Sequence, residues 1–279
     1  MNIIKKREYY YLRYSFRNEG KVTTKDVYLG KEVPGNIEEI KQKIMRERQK
    51  QMYQKFEKIR TNFQKEWKKS PESAKQREKE EIAIAFTYNT EAIEGSTITL
   101  EETREIVVDK IAPNKSLRDI KETEVHFKVF LNMLSKKESI SKTILLQWHK
   151  DLFGETKPDI AGRYRDFHVR IGGYIAPDWQ DVEKLMKEFL EFFRQSKLNP
   201  VELAARTHYK FEKIHPFGDG NGRVGRFLMN HLLWRNGYPM LIIEYKKRQS
   251  YYKALRRTED GFVQYFIRRY LSVHKKRYL

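Results

Sequence analysis

Apolar side chains recur every three or four residues through most of residues 71–279, and short polar or proline-containing breaks separate these stretches. This spacing follows the turn of an α-helix, and each apolar stripe must be buried against a neighbouring element. Helix starts are marked by Thr99 with Glu102, a capping pair, and by Asn199 before Pro200. The fold class predicted from this pattern is therefore mainly α.

Two regions depart from the helical pattern. The alternating stretch "GRYRDFHVRIGGYIAP", residues 162–177, has a glycine at each end and predicts a small β-hairpin. Residues 8–33 predict short strands around the hairpin signal "NEGK". A long helix follows, from the cap Asn36 to the break at Ser70. We therefore divide the chain into a basic N-terminal part, residues 1–70, and a helical domain, residues 71–279.

Composition limits the setting in which the protein acts. The chain has no cysteine, which excludes disulfides and thiolate metal sites and is consistent with the cytoplasm. No apolar run has the length of a membrane span, and the N-terminus lacks the apolar core of a signal peptide. Of the net charge of +19, residues 1–80 contribute +10, from 22 Lys and Arg against 12 Asp and Glu. This excess fits a nucleic-acid surface or, since the charges alternate in sign, a solvated lysine-rich surface.

The loop "HPFGDGNGRVGR", residues 215–226, concentrates chemistry between two predicted helices. Glycines at a helix N-terminus allow backbone N–H groups to approach a phosphate. Arg223 and Arg226 share a helix face and suit phosphate oxygens, Asp219 suits Mg²⁺, and His215 suits proton transfer. These residues predict phosphoryl or nucleotidyl transfer, although a structural turn and a transition-metal site remain alternatives at this point.

The same loop resembles the signature of the Fic family, His-x-Phe-x-(Asp/Glu)-Gly-Asn-Gly-Arg-x-x-Arg. "TEAIEG", residues 90–95, resembles the family's inhibitory motif, and residues 169–186 resemble its flap hairpin and the helix after it. The resemblance covers roughly residues 80–271 and leaves residues 1–70 outside. Every specified position of the signature matches: His215, Phe217, Asp219, Gly220, Asn221, Gly222, Arg223 and Arg226.

The resemblance implies transfer of AMP from ATP to a hydroxyl group of a target protein, that is, a protein adenylyltransferase. His215 is then the catalytic base, and Asp219 holds Mg²⁺ as the cofactor. Arg223 and Arg226 are implied to bind the β- and γ-phosphates, and the flap to cover the nucleotide and align the target as an added strand. The implied ATP-binding positions are Ile171, Gly172, Gly173, Tyr174, Gly218, Gly220, Asn221, Gly222, Arg223, Arg226 and Tyr251. Glu259 stands where related sequences often have Asn, so adenine contacts at that position are not implied.

Glu94 is implied to be inhibitory. In the family, the equivalent glutamate on a helix near residues 80–95 pairs with the arginine at position 226 and keeps it from the γ-phosphate. The resemblance is to the subgroup whose inhibitory helix precedes the catalytic core. In that subgroup the same glutamate can position water for the reverse reaction, so removal of AMP is an alternative.

The expected partners are ATP and a protein with a Ser, Thr or Tyr hydroxyl. A homodimer, a different nucleotide donor, and a nucleic-acid regulator acting through residues 1–70 remain alternatives. We expect no membrane partner and do not favour a nucleic-acid partner.

Overall fold

The computed structural model describes residues 1–18, 21–136, 138–171 and 173–279. Most of these residues are helical, so the prediction of a mainly α fold is confirmed. The helices are α1 (Ile37–Lys69), α2 (Glu72–Ile93), α3 (Leu100–Arg104), α4 (Leu117–Ser135), α5 (Lys142–Phe153), α6 (Val182–Gln195), α7 (Pro200–Ile214), α8 (Asn221–Arg235), α9 (Arg248–Leu255) and α10 (Glu259–Tyr278).

The chain begins with a three-stranded antiparallel sheet in the order β1 (Asn2–Lys6), β2 (Tyr9–Asn18) and β3 (Lys21–Gly30). The predicted hairpin is present, because Asn18 pairs with Lys21 and the register continues down both strands. Residues 19–20 of its turn signal lie outside the described residues. Strand β1 was not predicted, because "NIIKK" is too short to show a clear alternation.

The chain separates into two compact units, residues 1–56 and 57–279, so the division lies within α1. The functional boundary at residue 70 stays a prediction. In the first unit, Leu12 is completely buried and the Arg48 guanidinium lies 5.1 Å from the centre of the Phe16 ring. This side of the sheet therefore packs cationic and aromatic side chains together.

Helix α1 has the predicted bounds, and its predicted apolar stripe is buried mainly in its second half. Ile59 is fully buried, whereas Ile37, Ile40, Ile44 and Met52 stay partly exposed. In the unit of residues 57–279, Phe63 lies 6.0 Å from the Trp234 ring and 5.8 Å from the Tyr278 ring. These contacts explain why the end of α1 is buried.

The core of the second unit is aromatic and joins the helices that carry the site. Phe86 of α2 stacks on Phe130 of α4 with 4.0 Å between ring centres, and Phe227 of α8 meets Phe86 edge-on at 5.4 Å. The packing fixes the C-terminal end of α2 beside the start of α8. The inhibitory-motif residues and the glycine-rich loop are thereby brought together.

The hairpin predicted over residues 162–177 is much shorter than expected. Its strands are β4 (Arg170–Ile171) and β5 (Tyr174–Ile175). The N-terminal part is not a strand, because the Arg165 N–H donates to the Pro216 carbonyl oxygen (2.9 Å) and not to a facing strand. Tertiary contact with the glycine-rich loop therefore replaces sheet pairing there.

The capping pair Thr99 and Glu102 forms as predicted, and each residue satisfies the other's backbone N–H. The helix that follows is not uniform: after α3 it continues as a π-helical turn, Glu105–Asp109, and stops at Lys110 in left-handed conformation. Among the described residues, no helix combines the length and apolar character needed to cross a lipid bilayer.

Candidate active site

The glycine-rich loop joins α7 to α8 and is braced by its own asparagine. Asn221 accepts a hydrogen bond from the Phe217 N–H and donates one to the Phe217 carbonyl oxygen, both at 2.9 Å. His215 and Gly220 both have left-handed backbone conformation, with φ of 52° and 75°. Gly220 is the N-cap of α8, so the loop presents the free N–H groups of that helix.

Glycine is required at two loop positions by close neighbours. A Cβ on Gly220 would overlap the Phe153 ring, and a Cβ on Gly222 would overlap the Glu94 carboxylate and come within 2.9 Å of Arg226 Nη1. The space above Gly222 is therefore the space that the Glu94–Arg226 pair occupies.

Two residues that carry no local sequence signal hold the loop from outside. Arg165 donates to the carbonyl oxygens of His215 (2.8 Å), Phe167 (3.0 Å) and Pro177 (2.6 Å). His149 accepts from the Gly162 N–H (2.9 Å), so its other nitrogen donates to the Asp219 carbonyl oxygen (3.0 Å). Both are distant from the loop in sequence, and no local pattern marks them.

A cavity of about 870 Å³ opens on the loop. This volume suits a nucleotide-sized ligand. The predicted site residues on its wall are Glu94, Ile171, Gly173, Tyr174, His215, Gly218, Asp219, Gly222, Arg226 and Tyr251. Gly172, also predicted, lies outside the described residues. The lining residues that the sequence did not single out include Glu212, Lys213, Tyr252, Leu255 and Arg256.

His215 faces this cavity in a form that can accept a proton. Burial, with Arg165 nearby, lowers its pKa to about 4, so the imidazole is neutral at neutral pH. Its Nδ1 lies 3.4 Å from the Glu212 carbonyl oxygen, which can only accept a hydrogen bond. Nδ1 therefore carries the hydrogen in this contact, and Nε2 is left as the basic nitrogen.

Arg226 is buried and bound to the end of α2. Its Nη2 donates to Glu94 Oε1 at 2.5 Å, and its side chain also lies 3.4 Å from the hydroxyl and carbonyl oxygens of Thr90. Burial alone would lower the pKa of Arg226, but the Glu94 charge raises it above its usual value. The Glu94 side chain remains 31% exposed, because it borders the cavity.

Arg223 lies one turn earlier and does not line the 870 Å³ cavity. Its Nη1 donates to Glu122 Oε2 at 2.5 Å and to Glu91 Oε2 at 3.2 Å, and the guanidinium lies 4.4 Å from the centre of the Phe153 ring. Arg223 lines a second cavity, of about 370 Å³, which also borders Glu94 and Asp219. Neither acidic partner of Arg223 was predicted from the sequence.

Asp219 is a hard carboxylate ligand between the two cavities. Its Oδ1 accepts from the Gly220 N–H at 2.6 Å, and its Oδ2 pairs with Lys157. Burial would raise the pKa of Asp219, but Lys157 and Arg223 hold it below its usual value, so the group is ionised. Mg²⁺ needs one or two carboxylates when phosphates supply its other ligands. Asp219 supplies one ionised carboxylate of that kind, so its chemistry fits the cation.

The flap and Tyr251 close the cavity from other sides. The Tyr174 hydroxyl on β5 donates to the Lys213 carbonyl oxygen at 3.1 Å, which joins the flap to α7. Tyr251 is 1% exposed and shares a hydrogen bond of 2.8 Å with His208. Glu259 accepts a hydrogen bond from Arg206, so its carboxylate already has a partner.

The helical domain therefore combines a glycine-rich loop at a helix N-terminus, a short flap hairpin and a neutral histidine on one cavity. Residues 139–233 match the model of the Fic/DOC family. The chain therefore contains a Fic domain.

Curated relatives agree with this assignment. The chain is 38% identical to the protein adenylyltransferase Fic of Nematostella vectensis over 196 residues, which are 67% of this chain and 46% of the relative. It is 36% identical to the protein of that name from Drosophila willistoni over 203 residues, 70% of this chain and 41% of the relative. The chain thus spans less than half the length of these relatives.

Solved structures share the fold. A segment of Fic-1 from C. elegans has a TM-score of 0.72 at 28% identity, with 88% of this chain and 77% of that chain covered. A Fic family protein from Desulfovibrio desulfuricans has a TM-score of 0.68 at 26% identity, with 81% and 73% covered.

Proposed function

We propose that this protein is an autoinhibited protein adenylyltransferase, which transfers AMP from ATP to a hydroxyl group of a target protein. The observation that carries the proposal is the 2.5 Å contact between Glu94 and Arg226, formed on the wall of a nucleotide-sized cavity beside the glycine-rich loop. The names of the curated relatives support the same activity.

In the proposed reaction, His215 Nε2 takes the proton from the target hydroxyl, whose oxygen attacks the α-phosphorus of ATP. The bond from the α-phosphorus to the bridging oxygen breaks, and pyrophosphate leaves. Asp219 would hold Mg²⁺, which would supply positive charge to the phosphates. In this reaction the free N–H groups at the start of α8 would stabilise the negative charge that develops on the phosphate oxygens.

The Glu94 contact explains the inhibited state. A γ-phosphate that binds Arg226 must compete with Glu94 for the same guanidinium, because Glu94 Oε1 accepts from Arg226 Nη2 at 2.5 Å. With Arg226 withheld, the triphosphate lacks its terminal anchor, and its α-phosphate is not held in line with the attacking hydroxyl.

The test is the intact mass of the Glu94→Gly protein after incubation with ATP and Mg²⁺. We expect the mass of AMP to be added to the variant and little or none to wild type. Glu101→Gly, which removes an exposed glutamate outside the cavity, is the matched control and should behave as wild type. Absence of AMP on Glu94→Gly and on proteins offered as targets would contradict the proposal.

His215→Ala in the Glu94→Gly background should reduce transfer by about 10²-fold or more, as expected when a general base is removed, while ATP binding persists. Because the pKa of His215 is about 4, the single-turnover rate of Glu94→Gly should not fall through titration of this group between pH 8 and 6. An unchanged rate in the alanine variant would contradict the assignment of the base.

The reverse activity, removal of AMP from a modified target, is a second candidate. It is favoured by the exposure of Glu94 to the cavity, where its carboxylate could orient a water molecule. ATP labelled at the α-phosphate separates the two: the label stays on protein if transfer dominates, and it leaves a pre-modified target if removal dominates.

A cytoplasmic location, a homodimer and a role for residues 1–70 in recruiting a partner remain predictions. The nucleic-acid alternative for that region would be supported by salt-dependent DNA binding of residues 1–70.

A further inference from the structure

Asp219, the predicted metal ligand, already forms an ion pair with a lysine side chain of this protein. Lys157 Nζ pairs with Asp219 Oδ2, while Asp219 Oδ1 accepts the Gly220 N–H at 2.6 Å. Both oxygens of the carboxylate therefore have a donor. A divalent cation approaching Oδ2 would meet the ammonium group at short range, where like charges repel strongly.

Lys157 is held in this position by two contacts besides Asp219. Its Nζ lies 3.8 Å from Glu122 Oε1 and 5.0 Å from the centre of the Phe153 ring, and its side chain is 15% exposed. Most lysine side chains are mobile and solvated, so this burial is unusual. The ammonium is thus a built part of the site.

We propose that Lys157 occupies the metal-binding carboxylate until Mg²⁺ with its nucleotide displaces it, and that Lys157 thereby sets the metal affinity of the site. The identity of the metal rests on the proposed function. The Lys157–Asp219 contact is thus a second restraint on the site. It acts on the Asp219 carboxylate, whereas the Glu94–Arg226 contact acts on the Arg226 guanidinium.

The surroundings allow the displacement. Asp219 is 47% exposed at its side chain, so a cation can reach it from the larger cavity. Lys157 also lines the 370 Å³ cavity, and Glu122 is an alternative acceptor there. Metal binding should therefore move the ammonium toward Glu122, which is also a partner of Arg223.

The test is a titration of nucleotide-free protein with Mn²⁺, followed by the paramagnetic resonance signal of the free ion. Lys157→Met should bind Mn²⁺ roughly tenfold more tightly than wild type, because a unit positive charge at contact distance is removed. Lys157→Arg keeps the charge and should bind weakly, as wild type does. Lys121→Met is the matched control, since it breaks an exposed pair with Glu155 (3.4 Å) and should change nothing.

Adding Asp219→Asn to Lys157→Met should remove the gained affinity, which places the gain at this carboxylate. Equal or weaker Mn²⁺ binding by folded Lys157→Met would overturn the proposal. So would a gain that persists in the Asp219→Asn double variant.

The variant is expected to fold, because Glu122 keeps Arg223 and Arg118 as partners and Asp219 is partly exposed. Lys157→Gln, which retains a neutral donor, provides a second variant and should shift affinity in the same direction. Mn²⁺ binding is measured without any transfer reaction. The adenylyltransferase proposal can therefore fail, through absent AMP transfer, while this one stands, and the reverse also holds.

Discussion

Arg223 and Arg226 lie one turn apart on α8, and both are at most 5% exposed. Both pair with glutamates, but the number and the exposure of these glutamates differ. Arg223 is bound by two carboxylates, Glu91 and Glu122, which are themselves at most 10% exposed at their side chains. Arg226 is bound by one carboxylate, Glu94, which is 31% exposed and sits at the end of its helix.

The difference separates a fixed ion pair from a releasable one. Breaking a buried pair on one side leaves an uncompensated charge in a low-dielectric interior, which is strongly unfavourable. Glu94 borders a cavity, so it can leave Arg226 and remain hydrated. We infer that the Arg223 cluster holds α2, α4 and α8 together, whereas the Arg226 contact can open and close.

The largest expected effect is on stability. Arg223→Met should cost about 3–5 kcal/mol, since buried Glu91 loses its arginine partner and Glu122 loses its shortest ion pair, and should lower Tm by about 10 °C. Arg226→Met keeps a similar side-chain volume and frees a carboxylate, Glu94, that can be hydrated. The stability lost in Arg226→Met should therefore be about half of that lost in Arg223→Met, or less. Calorimetric unfolding of both variants measures the difference, and equal losses would break the proposed distinction.

The Arg226 side contains a further acid whose charge depends on pH. Burial raises the pKa of Glu212 to about 7, and its Oε1 has no hydrogen-bond partner. When an acid has a higher pKa in the folded state than in the unfolded state, the protein loses stability as the pH rises from the unfolded-state pKa through the folded-state pKa. The free energy of unfolding of Glu212→Gln should therefore exceed that of wild type by about 1–3 kcal/mol at pH 8 and equal it below pH 4.5. Thermal unfolding across that range is the measurement, and a difference independent of pH would refute this account.

The third effect tests the releasable pair directly. Glu94→Gly should raise AMP transfer at least about tenfold, the result of about 1.4 kcal/mol of lost competition for Arg226. Adding Arg226→Ala should erase the gain, because both changes act on one contact and are not additive. Initial rates with labelled ATP provide the readout. A gain that survives in the double variant would show that Glu94 acts elsewhere.

The smallest expected effect comes from removing the N-terminal unit. Residues 57–69 belong to the second unit, in which Asn62 donates to the Tyr278 carbonyl oxygen (2.9 Å) and Trp67 meets Trp234 at 5.1 Å. The deletion is therefore best made at residue 56, the end of the first compact unit. AMP transfer by the truncated Glu94→Gly protein should stay within about twofold, because its cavity residues are all retained. Loss of activity in a folded truncation would place part of the site in residues 1–56.

Local sequence was sufficient to predict the main helices, the caps of two of them and the glycine-rich loop, because periodicity and capping act within a few residues. The motif resemblance also identified Glu94 and Arg226, which the structure brings into contact. Their inhibitory role, like the roles assigned to His215 and Asp219, remains a prediction.

The bracing and charge-pairing residues could not be predicted. Lys157, Glu122, His149 and Arg165 lie 50 to 101 residues from their loop partners and come from other elements. Each appears in sequence as an ordinary polar residue on a helix or loop. Glu122 lies on α4, His149 on α5, and Lys157 and Arg165 in the segment between α5 and β4. Only tertiary packing brings them to the loop, so no local period or motif carries the information.

The missing side chain at Gly222 has a consequence for how this protein can change under selection. A methyl group there would displace Glu94 and would also lie against the Arg226 guanidinium, which is the proposed phosphate ligand. We therefore expect release of Glu94 and loss of function to occur together. A genetic screen for hyperactive alleles should therefore recover changes at codon 94, and substitutions at codon 222 should appear among inactive alleles. We therefore expect release of the restraint to come from changes at Glu94, and we expect Gly222 to be retained in alleles that keep the activity.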